Sequence, residues 1–204
     1  MATEINTVGI IGAGQMGNGI AHVCALAGME VRLNDLAEDR ITAGLATING
    51  YMARQVSKGL VSEDERHAAL GRINAALRLE DLAGCDLVIE AATENEEVKR
   101  KIFVELCPLL GPETILASNT SSISITRLAA ATDRPERFIG IHFMNPVPLM
   151  QLVELIRGIA TEDPTFETAR AFIARLGKTV TVAEDFPAFI VNRILLPMIN
   201  EAIY

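Results

Sequence analysis

Cysteine is scarce in this chain of 204 residues: there are three, and no Cys-x-x-Cys pair. Cys24, Cys85 and Cys107 each sit in an apolar context, and an odd count argues against a disulfide framework. Buried, reduced thiols in a cytosol-like compartment are expected. His22, His67 and His142 are scattered without ligand spacing, so no metal centre is expected. Basic residues number 18 against 26 acidic ones, and no basic run offsets the net charge of −8. That balance speaks against a nucleic-acid partner. No apolar run reaches the roughly 18 residues of a membrane span. The first strand pattern begins at Thr7, which leaves no room for a secretory leader. A cytoplasmic protein is therefore expected, with the mitochondrial matrix left open.

Half of the residues are hydrophobic, enough for a sizeable core. The length suits one large domain, or one domain and part of another. The most informative stretch is an apolar run into Gly12-Ala13-Gly14-Gln15-Met16-Gly17, followed at once by a helical pattern. Gly-x-Gly-x-x-Gly alone is weak, but strand, glycine turn, helix, second strand and then an acid, Asp35, is specific. Gly12 suits a tight turn, Gly14 leaves room for a pyrophosphate, and Gly17 lets helix and strand pack closely. The helix N-terminus, opening at Gln15 and Met16, offers free N–H groups to phosphates. Asp35 can accept the adenine ribose hydroxyls and would repel a 2′-phosphate, favouring NAD over NADP, although Arg32 and Arg40 lie nearby in sequence.

Strands and helices alternate along the chain, which predicts an α/β fold with a mainly parallel sheet. Strands are expected at 7–12, 30–34, 72–75, 86–92, 114–118, 138–143, 151–156 and 179–183, and helices at 15–27, 94–110, 123–131 and 164–176. Ile41, Leu45, Ile48, Met52 and Val56 recur at helical spacing, and Ser62 with Glu65 signals a capping box, giving a helical pair over 38–71. Pro187 is expected to open a last helix whose apolar stripe needs a partner. We therefore expect a domain over 1–185 and, over 186–204, the first helix of a truncated helical domain.

A turn through Asn145-Pro146-Val147-Pro148-Leu149 would make a hairpin that sets His142 opposite Glu154. A carboxylate so placed orients an imidazole and makes a general base; a core histidine satisfied by its neighbour is the plain alternative. Ser118-Asn119-Thr120-Ser121-Ser122 follows a strand, at the sheet edge where ligands bind. Its residues could hold a nicotinamide, a carbonyl or a hydroxyl, or Ser121 or Ser122 could cap the next helix. Glu94 and Asn95 pose the same choice. A Ser121/His142/Glu154 hydrolase is disfavoured, because no Gly-x-Ser-x-Gly elbow exists and the glycine fingerprint would have no purpose.

Gly-x-Gly-x-x-Gly at 12–17, SNTSS at 118–122, HFMNPVPLMQLVE at 142–154 and DFPAFIVNR at 185–193 run in one order over nearly the whole chain. In this the chain resembles the L-3-hydroxyacyl-CoA dehydrogenase family. The resemblance implies a Rossmann-type doubly wound fold with a helical-pair insertion and the start of an all-helical C-terminal domain. It implies reversible NAD-dependent oxidation of a 3-hydroxyacyl-CoA, with His142 as base and Glu154 orienting it. By the same resemblance Ser121 and Asn192 hold the substrate oxygen, and Asn145 supports the dyad. Gly12, Gly14, Gln15, Met16, Gly17, Asp35, Glu94, Lys99 and Asn119 face the cofactor, and Arg54 and Lys58 meet CoA phosphates. The full-length family is expected to form homodimers. A dehydrogenase of a small hydroxy acid without CoA, and a non-catalytic NAD-binding module, stay open as alternatives.

Overall fold

A computed structural model describes residues 4–203. Tyr204, the end of the segment expected over 186–204, lies outside the described residues, as do residues 1–3. Eight strands form one sheet: β1 (Thr7–Ile11), β2 (Glu30–Asn34), β3 (Ile73–Ala76), β4 (Leu87–Glu90), β5 (Ile115–Ser118), β6 (Phe138–Phe143), β7 (Leu152–Arg157) and β8 (Thr179–Glu184). Their order is β3-β2-β1-β4-β5-β6-β7-β8, all neighbours parallel except the antiparallel pair β6–β7. The first six strands thus follow the doubly wound dinucleotide-binding order, in which the progression of strands across the sheet reverses at β1.

Helices α1 (Gln15–Leu26), α2 (Glu38–Ser57), α3 (Glu63–Gly71), α4 (Glu96–Leu106), α5 (Ile125–Ala129), α6 (Asp163–Arg175) and α7 (Val191–Ile203) complete the fold. Two buried clusters, one built around α1, α2 and α6 and the other around α4 and α5, cover the sheet. In α2 the periodic face buries Ile41, Ile48 and Met52. The expected capping box is present in α3: Ser62 accepts from the Glu65 N–H, and Glu65 accepts from the Ser62 N–H. All three cysteines are buried and free, and desolvation pushes the Cys24 thiol up to about 12 and the Cys85 thiol up to about 11.

Three expectations need correction. The helix expected over 123–131 is shorter, and Ser124, not Ser121 or Ser122, caps it. The segment expected as one helix over 94–110 starts at Glu96 behind the Asn95 cap, and a 3₁₀ turn, Cys107–Leu109, follows it. The last helix opens at Val191 and not at Pro187, because Ala188 (φ 66°) and Phe189 (φ 49°) take left-handed angles. Phe189 plugs into the second cluster at that bend. A helical apolar pattern carries no trace of such a bend.

The three glycines of the fingerprint differ physically. Gly12 has φ 103°, and a Cβ there would lie 2.7 Å from the Ala91 carbonyl oxygen. A Cβ on Gly17 would lie 1.7 Å from the Gly12 carbonyl oxygen and 3.3 Å from Ile10 of β1, so it protects the turn first and the strand contact second. A Cβ on Gly14 would meet nothing within 4 Å. Gly17→Ala is expected to destabilise the chain by about 2–3 kcal/mol. Gly14→Ala is expected to stay within about 0.5 kcal/mol. Urea midpoints of the two variants check the contrast.

Candidate active site

The cleft runs along the carboxyl ends of the strands, where an open α/β sheet binds ligands. One cavity of about 610 Å³ is lined by Gly14, Gln15, Asp35, Arg40 and Asn145. A second, of about 600 Å³, is lined by Met16, Glu94, Asn119, Ser121, His142 and Asn192. Gln15 and Met16 are consecutive, so the N-terminus of α1 divides the two cavities. A long ligand crossing it would meet the free N–H groups of the first turn. The backbone at Gly14 faces open space. Asp35 accepts from the Ala13 and Leu36 N–H groups at 2.8 and 2.7 Å, which fixes the carboxylate at the rim of the first cavity. Arg32 is turned away, bonding the Asp81 and Ala83 carbonyls. Arg40 lies 3.5 Å from Asp35 and is mostly exposed.

The register pairs His142 with Glu154 across the β6–β7 hairpin. His142 Nδ1 lies 2.6 Å from Glu154 Oε2, and Glu154 is fully buried. A carboxylate only accepts, so Nδ1 carries the proton and Nε2 is the nitrogen left for the cavity. The other oxygen, Glu154 Oε1, accepts from the Ile190 and Val191 N–H groups at 3.0 and 2.9 Å. Burial works to raise the Glu154 carboxyl, and the bonds from His142, Val191 and Ile190 outweigh it, holding the carboxyl below its ordinary range.

The SNTSS segment is held chiefly by Glu94. Glu94 Oε1 accepts from the Thr120 hydroxyl at 2.6 Å, the Ser121 N–H at 2.8 Å, and the Ser121 and Ser122 hydroxyls at 3.0 and 3.2 Å. These bonds hold the Glu94 carboxyl low against a burial effect in the opposite direction. Asn119 Oδ1 accepts from the Phe143 N–H at 2.9 Å, tying the end of β5 to the residue after His142. Asn192 donates to the Ser121 carbonyl at 3.1 Å. Ser121, Asn192 and His142 therefore line one cavity.

Lys99 lines that cavity, but its ammonium is buried against Glu90 at 2.6 Å, with Glu94 at 3.6 Å. It stands at the floor of the cavity as part of an ion-pair network. Asn145 lines both cavities. Arg54 and Lys58 line a third cavity of about 200 Å³ with His22, Tyr51, Pro148 and Leu149. Glu90 escaped the sequence reading. It is fully buried, accepts from Lys99 and Ser118, and bonds the Ala92 N–H. An acid closing the apolar run LVIE was the available signal.

The family described as "3-hydroxyacyl-CoA dehydrogenase, NAD binding domain" matches residues 7–186. The chain belongs to the 3-hydroxyacyl-CoA dehydrogenase family. A 3-hydroxybutyryl-CoA dehydrogenase of Bradyrhizobium diazoefficiens is 74% identical over 204 residues, covering 100% of this chain and 70% of that one. The crystal structure of an (S)-3-hydroxybutyryl-CoA dehydrogenase from Ralstonia eutropha is 49% identical with a TM-score of 0.95, covering 98% of this chain and 70% of that one. Mycobacterium tuberculosis FadB2 is 46% identical with a TM-score of 0.96, covering 98% and 71%. The family's NAD-binding domain is a Rossmann-type fold, as the strand order here has it. No helix among the described residues is long and apolar enough to cross a membrane, and no group of potential metal ligands occurs among them.

Two outcomes test these networks. Lys99→Met is expected to destabilise the chain by about 3–5 kcal/mol, because it leaves Glu90 buried and unpaired; the urea midpoint reads this. Glu94, Glu154 and Asp185 are all held below their ordinary values, Asp185 by bonds from Thr126, Ser124 and Ile125 that outweigh its desolvation. Depressed carboxyls stabilise above their unfolded values and lose that contribution as pH falls. Through these three acids stability is expected to fall below about pH 4, with a shallower fall in Asp185→Asn.

Proposed function

We propose that this chain oxidises a short-chain 3-hydroxyacyl-CoA, such as 3-hydroxybutyryl-CoA, reversibly with NAD. The observation that carries the reading is the 2.6 Å His142–Glu154 pair in the cavity shared with Ser121, Asn192 and Met16. His142 Nε2 takes the proton of the substrate hydroxyl as the C3–H bond breaks. The cofactor, when bound, accepts the hydride. Glu154 holds the ring in the tautomer that leaves Nε2 free and stabilises the imidazolium that forms. Ser121 and Asn192 hold the substrate oxygen within reach of His142.

The glycine turn and α1 receive the cofactor phosphates, and Asp35 receives the adenine ribose. Its fixed carboxylate favours NAD, since Arg32 is engaged elsewhere. Arg54 and Lys58 meet the CoA phosphates at the third cavity, whose other walls include Tyr51, Leu60 and Leu149. Residues 186–204 start a helical domain, in keeping with a helix, α7, that buries no residue and exposes Ile194, Leu196, Met198 and Ile203. A homodimer of the full-length protein would have this stripe covered by that domain.

The test is NADH oxidation with acetoacetyl-CoA, run beside free acetoacetate. Turnover with the thioester alone is expected; turnover with free acetoacetate at equal efficiency would point to a dehydrogenase without CoA. His142→Ala is expected to lower kcat by about 10²–10⁴-fold while NADH affinity is unchanged. A wild-type chain that binds NADH and turns over neither substrate would favour a non-catalytic module.

A further inference from the structure

Lys178 is half-buried and forms no ion pair among the described residues. Its Nζ donates instead to two backbone carbonyls, Val147 O and Met150 O, each at 2.7 Å. Its place is fixed from behind. Gly177 (φ 69°) turns the chain out of α6, and the Thr179 N–H bonds the Gln151 carbonyl at 2.8 Å. Lys178 therefore stands at the exit of the 145–150 loop.

That loop has few bonds of its own. Pro146 and Pro148 have no N–H, and the Leu149 and Met150 N–H groups both go to the Pro146 carbonyl at 3.0 Å. On its other side Val147 is buried against Gly19 of α1, where a Cβ would come within 2.9 Å. The loop is thus clamped between α1 and one ammonium group. It also walls every cavity of the site: Asn145 and Val147 the first, Asn145 and Met150 the second, Pro148 and Leu149 the third.

We propose that Lys178 is a positioning residue, whose two hydrogen bonds to the Val147 and Met150 carbonyls shape the dinucleotide and thioester cavities together through the 145–150 loop. The thioester half rests on the function proposed above; the dinucleotide half does not. Burial draws the Lys178 ammonium below its ordinary value, so the group is held where its charge is costly, as a positioning role requires.

Lys178→Met removes the donors at similar volume, and Lys178→Arg keeps charge and donors. In Lys178→Met the NADH Kd and the acetoacetyl-CoA KM are expected to rise together by about tenfold, with kcat and its pH profile little changed. Lys178→Arg is expected to restore both to within about threefold. Wild-type Kd and KM in the folded Lys178→Met protein, whatever its thermal midpoint, would overturn the inference, as would a rise in only one of the two. If the wild type binds NADH but does not turn over, the proposed function fails while the NADH and CoA affinities still test Lys178. Should Lys178→Met not fold, amide exchange across 145–151 in the wild type decides. NADH alone and CoA alone are each expected to slow it, and no slowing by either would sink the idea.

Discussion

The Glu154 carboxylate is the interaction on which the rest of the site depends. A fully buried charge is tolerable only when each oxygen has partners. One oxygen holds the His142 ring, and the other holds the N-terminus of α7 through two backbone N–H groups. The same charge therefore fixes the base and the start of the segment that brings Asn192 to Ser121. The left-handed angles at Ala188 and Phe189 follow from this: the chain must turn sharply to present its N–H groups to a carboxylate inside the sheet. Such angles in residues other than glycine carry strain of about 1–2 kcal/mol each, which charge-assisted bonds can offset.

The remaining acids work in the same way at different depths. Glu90 anchors Lys99 and Ser118 beneath the cavity, Glu94 gathers the hydroxyls above it, and Asp185 caps α5 from the far side. Each joins segments distant in sequence, and each is matched by N–H, hydroxyl or ammonium donors. A chain with surplus acid thus has several of its carboxylates placed as internal fasteners near the cleft.

Much of this was legible in the sequence, for local reasons. The strand expected at 138–143, the alternation over 151–156 and the proline turn between them were enough to place His142 opposite Glu154, and the pairing register agrees. The fingerprint and Asp35 placed the first cavity, because glycine positions are set by backbone geometry close in sequence. What stayed hidden was long-range. The Lys99–Glu90 ion pair depends on β4 lying beneath α4, which no local pattern shows. The place of Asn145 on the wall of both cavities depends on the path of its loop. The start of α7 depends on a carboxylate 36 residues away. Ser124 caps α5 because the helix opens at Ile125, while Glu94 takes the Ser121 and Ser122 hydroxyls.

The β6–β7 hairpin has one further consequence, which concerns the order of assembly. His142 and Glu154 are separated by 12 positions, whereas the β1–β4 pairing that brings the fingerprint beside β4 joins Val8 to Leu87. Loop-closure entropy grows only with the logarithm of separation, yet it favours the hairpin by roughly 1.5–2 kcal/mol. Contacts of low sequence separation form early in folding. The His142–Glu154 pair thus belongs to the part of the chain least dependent on its remote halves meeting. The cofactor cleft, built across the longest loops, is completed only when the whole sheet has closed.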